Sequence, residues 1–367
     1  MRCFIGIDSL EFSTVLNLPY CTKCGTKLDE GVKFCYVCGT PVGVAAAERV
    51  PERKRGVRPS FFVPAIILGA IILIALVAVA FLFVPLHPVN FSKAEEVAFR
   101  PGIDEVHLNF TADVAEINLS FQEQTTTLLT LNVTAKGTAG IGFSSSSEPL
   151  NVSFTDTFTG NILYVSSRVT LMPGWRWTSG LNVKCDIVID PSMNATIVAK
   201  TTTGGIVFDA GAGVVLDSLD LEAVTGGIEV NMARNAIHNG DVSVKTTTGG
   251  VNMVWQDVDL TANTRLDVKA TTGGINMNVT QRDPMRANVT LNAETSLGGI
   301  NFDVVIRHNV GCNVTASTGV GGINVKQVGF SGTTPPLHSD NYPDEGNFNV
   351  SLATSTGGIN INARYTP

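Results

Sequence analysis

Seven glycine pairs punctuate the second half of the chain, at Gly204-Gly205, Gly226-Gly227, Gly249-Gly250, Gly273-Gly274, Gly298-Gly299, Gly321-Gly322 and Gly357-Gly358. Their spacings are 22, 23, 24, 25, 23 and then 36 residues. A period near 23 marks a stacked array of small repeating units. Seven and five residues before each first glycine stand apolar residues, for example Leu266 and Val268, or Leu291 and Ala293. Two and four residues after it the apolar pattern resumes, with Ile206, Ile228, Val251, Ile275, Ile300, Ile323 and Ile359 in the nearer column. Residues between these are mostly polar. The period is therefore 2 on both sides of the glycines, which predicts two strands per repeat joined by a glycine corner. One repeat cannot bury its own apolar face, so stacking must close the core. The expected architecture is mainly β: a parallel β-solenoid or β-roll over residues 195–367, its coils stacked in chain order.

Two further columns share this register. Thr201, Thr246 and Thr295 lie three residues before the glycine and are expected to stack as hydroxyl ladders. Asn252, Asn276, Asn301, Asn324 and Asn360 lie three after it and predict an outward amide ladder that stabilises the stack. The long last interval holds GFSGTTPPLHSDNYPDEGN, read as a mobile surface loop. Before the repeat, residues 105–194 alternate less regularly, as in VHLNF and LNVKCDIVI, and read as an irregular β region. Trp175 and Trp177 flank Arg176 there and are expected to cover one end of the β core. Cys185 and Cys312 share inward parity but lie several coils apart, beyond disulfide reach, so both read as small buried hydrophobes.

The other dominant feature is Phe61–Val84, which carries no charge. At about 1.5 Å per residue it makes a helix roughly 36 Å long, enough to cross a bilayer core of about 30 Å. Five cations precede it (Arg49, Arg53, Lys54, Arg55, Arg58), against Lys93 and Arg100 after it. That asymmetry predicts a single-pass protein with a cytoplasmic N-terminus and an extracytoplasmic C-terminal domain. Residues 43–60 form the basic linker, which is expected to touch anionic lipid. Residues 85–104 are expected to be an outer stem. Residues 1–17 resemble no signal peptide and read as an unassigned leader, consistent with a start placed upstream of the true one.

Residues 18–42 contain Cys21, Cys24, Cys35 and Cys38 as two C-x-x-C-G units. Two residues between thiolates let both sulfurs face one ion, and Gly25 and Gly39 permit the tight turn around it. Four thiolates make a closed tetrahedral set that suits structural Zn²⁺ and leaves no open catalytic position. The segment resembles the short zinc-ribbon domains at the ends of many prokaryotic membrane proteins. From about residue 105 onward, phrases such as LNVKCDIVIDPSMNATIVAKTTTGGI resemble the adhesin-like glycine-repeat β domains of prokaryotic, above all archaeal, membrane proteins. That resemblance implies the fold and an inferred surface role, without a defined ligand.

Ten Asn-x-Ser/Thr triplets all follow the apolar run, at Asn90, Asn109, Asn118, Asn132, Asn151, Asn194, Asn278, Asn288, Asn313 and Asn349. An outside location would make some of them glycan acceptors. The five histidines are scattered and no nucleophile stands in a recognisable constellation, so an enzyme is not expected. A net charge of −7 argues against nucleic-acid binding. The expected function is surface binding of a protein or glycan by the outer domain. A signalling role in which the ribbon docks a cytosolic protein, and a scaffold assembling through the open end of the last coil, are the alternatives.

Overall fold

The computed structural model describes residues 20–41 (except 22, 30 and 31), 69–74, 86–140, 149–172 and 180–367 (except 235, 238, 239 and 308). The chain divides into two compact units, Met1–Val79 and Ala80–Pro367. Of the apolar run only Gly69–Ile74 belongs to the described residues. It is helical, and no helix among the described residues is long and apolar enough to cross a membrane. The leader, the basic linker, most of the apolar run, and Trp175 with Trp177 lie outside the described residues.

The described part of the larger unit is mainly β, in one sheet of eleven strands and one of fourteen. Neither closes into a barrel. Each repeat sends its first strand into the larger sheet and its second into the smaller, and the glycine pair is the point of crossing. Thr264–Thr272, for example, pairs in parallel with Val242–Thr248 and Val289–Leu297, while Ile275–Gln281 pairs with Val251–Gln256 and Ile300–Arg307. The inward columns are buried in one continuous core: Leu266, Val268 and Ile275 are all 0% exposed.

Part of the irregular region follows the repeat. Glu105–Val114 and Glu116–Phe121 form a rung against Asn194–Thr203 and Ile206–Ala210. Ala115 takes the place of the first glycine. Leu108, Phe110, Ile117 and Leu119 then fall at the repeat's apolar positions and Asn118 at its asparagine position. Ile162–Leu171 and Asn182–Ile189 supply one further strand to each sheet, on the other side of that rung. Leu86–Ala98, expected as a stem, is instead a strand. It pairs antiparallel with Thr127–Gly140 along its whole length because Val89 and Val97 supply apolar residues to the core.

Spatial order departs from chain order at both ends. Glu105–Phe121 sits between the rung containing Asn182–Ile189 and the one containing Ile206–Ala210. The last repeat in sequence, Gly346–Thr356 with Ile359–Thr366, is wedged between Val289–Arg307 and Val310–Val328. The open end of the stack is therefore Val310–Val328 and not the C-terminal repeat. The inserted segment is a cap and a return path, not a free loop. Phe330–Ser331 and Leu337–Ser339 add antiparallel strands to the edge of Val310–Val320, with Phe330 and Leu337 buried against the core. Thr127–Gly140 and Leu150–Thr159 cover the other end in the same antiparallel manner. Among the described residues, Ile323–Val328 is left as a bare parallel edge of the eleven-stranded sheet, and Ile323 is 37% exposed where its counterparts Ile300 and Ile359 are 0%.

The two glycines of a corner are not equivalent. The first has φ between +130° and +155°, a region L side chains avoid. A Cβ on Gly273 would fall inside the carbonyl oxygen of Gly249, and the same holds from Gly226 through Gly357. A Cβ on the second glycine would meet the next corner's carbonyl only at 3.0–3.5 Å, and at Gly322, on the open end, it would meet nothing. The inward threonines do not form hydroxyl ladders. Thr201, Thr246, Thr295 and Thr354 donate instead to the carbonyls of Ala115, Gly226, Gly273 and Gly298 at 2.8–3.1 Å.

The corner geometry predicts a graded series in urea melts of the β unit. Gly273→Ala should cost about 3–5 kcal/mol, combining strain with a backbone clash. Gly274→Ala should cost about 1 kcal/mol or less. Ile275→Asp should be at least as damaging as Gly273→Ala, since it buries an unpaired carboxylate. Equal effects at the two glycines would refute the assignment of the corner.

Candidate metal centre and polar groove

In the smaller unit, two short turns are built alike. Cys21 N–H donates to the Thr26 carbonyl at 2.8 Å and Gly25 N–H to the Cys21 carbonyl at 2.9 Å. Cys35 with Thr40, and Gly39 with Cys35, repeat this at 2.8 Å each. Gly25 and Gly39 both have φ +70°, the left-handed conformation that turns the chain back past the sulfurs. Isolated bridges Tyr20–Lys27 and Phe34–Pro41 close the two loops.

The four sulfurs converge within 4.8 Å of one another, with Cys21–Cys38 and Cys24–Cys35 at 3.6 Å. A tetrahedral Zn²⁺ with Zn–S bonds of about 2.3 Å requires sulfurs about 3.8 Å apart, so the donor set fits. The sequence-predicted ligands are all brought together. Thr26 and Thr40 were missed. Their hydroxyls lie 3.2 Å from the sulfurs of Cys24 and Cys38, and the doubled phrase Cys-Gly-Thr was the available signal. The Thr26 hydroxyl and then its backbone N–H draw the Cys24 thiol down to about 6, and Thr40 lowers Cys38 in the same way. Cys35 goes the other way. The N–H groups of Cys38 and Val37 pull it down, but burial and the neighbouring sulfurs outweigh them. The hydroxyls thus make the two sulfurs they face easier to deprotonate.

Cys185 and Cys312 are free and fully buried, one in each sheet. Burial pushes the Cys185 thiol up to about 12 and raises Cys312 as well, which suits inert core residues.

The larger unit carries a groove of about 580 Å³ on the outer face of the eleven-stranded sheet. Along its length runs the predicted amide ladder. Asn276 donates to Asn252 at 2.8 Å, Asn301 to Asn276 at 2.7 Å, and Asn360 to Asn301 at 2.8 Å. A second lining column, two residues further along each strand, was not anticipated: Asn278, Asp303, Asn362 and Lys326. Its signal was a run of polar residues at the fifth position after the glycine. His107 and His338 are the histidines whose side chains are described, and they lie apart, each with its own partner. His107 pairs with Glu105 at 2.5 Å, and His338 stacks on Tyr342.

Residues 20–42 match the zinc-ribbon domain family. No curated protein matches the chain. Among solved structures, a candidate cell adhesion protein of Clostridium sporogenes ATCC 15579 is similar at 14% identity and TM-score 0.32, over 75% of this chain and 100% of that one. A candidate adhesin of Bacteroides fragilis NCTC 9343 is similar at 10% identity and TM-score 0.30, over 75% of this chain and 97% of its own. A candidate adhesin of Parabacteroides distasonis ATCC 8503 gives 11% and 0.26, over 74% and 97%.

The ribbon should bind one Zn²⁺ per chain, read by metal analysis of purified protein. Cys35→Ser should abolish binding and unfold the ribbon, because the ion supplies most of the folding energy of so small a unit. A ribbon that stays folded after chelation would overturn the assignment.

Proposed function

We propose that the chain is a single-pass membrane protein that displays its β unit outside the cell for surface binding and keeps a structural zinc ribbon in the cytoplasm. The observation that carries this reading is the uncharged run Phe61–Val84, set between the cysteine site and the β unit. The cations before the run orient the ribbon inward. A reducing cytosol keeps the four thiolates available. The β unit reads as a parallel β-solenoid whose role is binding, not catalysis. Asn90, Asn109, Asn132 and Asn151 are exposed sequons and the best glycan acceptors on that side. Membrane lipid is the partner of the apolar run and the basic linker.

A second reading has its own support. Tyr20, Phe34 and Tyr36 of the ribbon are 56%, 63% and 73% exposed. Such an aromatic surface on a small unit suits docking of a cytosolic protein, which would make the chain a transmembrane regulator. A scaffold role would use the bare Ile323–Val328 edge.

Protease added to intact cells should remove the β unit and leave Cys21–Cys38 protected inside. Cleavage of the ribbon with the β unit spared would reverse the topology and end this reading.

A further inference from the structure

We infer that the groove on the outer face of the eleven-stranded sheet binds an extended neutral glycan; this deepens the surface-binding reading and rests on it. The groove crosses five rungs, from Asn252 to Asn324. At about 4.8 Å per rung its length is roughly 19 Å, enough for several units of a linear chain.

Its hydrogen-bonding capacity is regular. An asparagine amide has two N–H donors and two acceptor lone pairs. Within the ladder each of Asn276 and Asn301 spends one donor and accepts one bond. Each of these two rungs therefore keeps one spare donor and one spare acceptor, and the ladder's outer members Asn252, Asn360 and Asn324 keep more. The second column adds to this without serving the fold. Asn278 and Asn362 are exposed and make no side-chain hydrogen bond to any described residue, although both line the groove. A ladder needed only to hold the stack would not require them.

The chemistry narrows the occupant. Asp303 and Lys326 offset one another, so neither an anionic nor a cationic polymer is favoured. Met253, Met277 and Ile361 in the floor are 2% exposed, and Val254, 39% exposed at one end of the groove, is a single small side chain that offers a lipid chain no continuous surface. Strand addition by a peptide needs an unpaired edge, whereas four of the five strands here are paired on both sides. A chain of hydroxyl groups, each both donor and acceptor, matches an array that offers at least one of each per rung. Asn278 is itself a sequon, so a sugar attached there would compete for the same space.

The test uses the full chain in detergent, made in a host without N-glycosylation. Its migration is followed in native gels containing soluble glucans, mannan, galactan or an anionic polysaccharide. At least one neutral polysaccharide should retard it. The double variant Asn278→Ala/Asn362→Ala should weaken that retardation roughly tenfold, the effect of losing two modest hydrogen bonds. Its urea midpoint should stay unchanged, and Asn109→Ala on the other sheet should behave as the parent. No retardation by any neutral polysaccharide, retardation that the double variant retains, or retardation by the anionic one alone would overturn the inference. Failure here leaves the topology untouched, because protease protection on intact cells reads that separately.

Discussion

The β unit depends on how closely its corners approach one another. At each crossing the backbone of one rung lies against the carbonyl oxygen of its neighbour with no space for a side chain. Both sheets inherit their register from this contact. Hydrogen bonds run through the bend, as where Gly249 N–H donates to Thr272 and Val251 N–H to Gly274, so the ladder is not interrupted where the chain changes sheet. With the corners in register, apolar columns stack on apolar columns and amides on amides. The inward threonines satisfy corner carbonyls that would otherwise be buried without a donor.

That contact also explains what could be read from the amino acids alone. Where a glycine is compulsory it leaves a visible mark, and the repeats from Gly204 onward were legible down to their inward and outward columns. The rung at Ala115 was not. It lies beyond Gly204 on the Cβ side of the stack, where the crossing takes an alanine, so the marker disappears while the alternation persists. Spatial order was also hidden. Inward parity tells a strand which face to bury but not which neighbour to pair with, and Val289–Leu297 and Val310–Val320 are equally good partners for Gly346–Thr356. Phe330 and Leu337 were hidden for a related reason, since two isolated apolar residues among prolines and polar residues give no period.

The metal centre was legible because its information is local. Four ligands within 18 residues, with a glycine after each pair, determine both the turn and the donor set. The groove was half legible. The ladder column showed as a repeated residue type, while the column beside it mixes Asn, Asp, Lys and Val and is united only by position. The two units thus obtain order by different means. One brings four cysteine sulfurs to a single point, and the other buries a core shared along the stack.

The wedged last repeat has a consequence for synthesis. A ribosome releases the Val310–Val328 rung before the residues that separate it from the rest of the stack exist. Until Gly346–Thr366 emerges, that rung has just the short Leu337–Ser339 strand as a partner among the described residues, and the core between it and Val289–Arg307 stays unfilled. Gly346–Thr366 is therefore a keystone of the array: the rungs cannot be added in chain order, and loss of that strand pair would open a gap in the interior instead of trimming an edge.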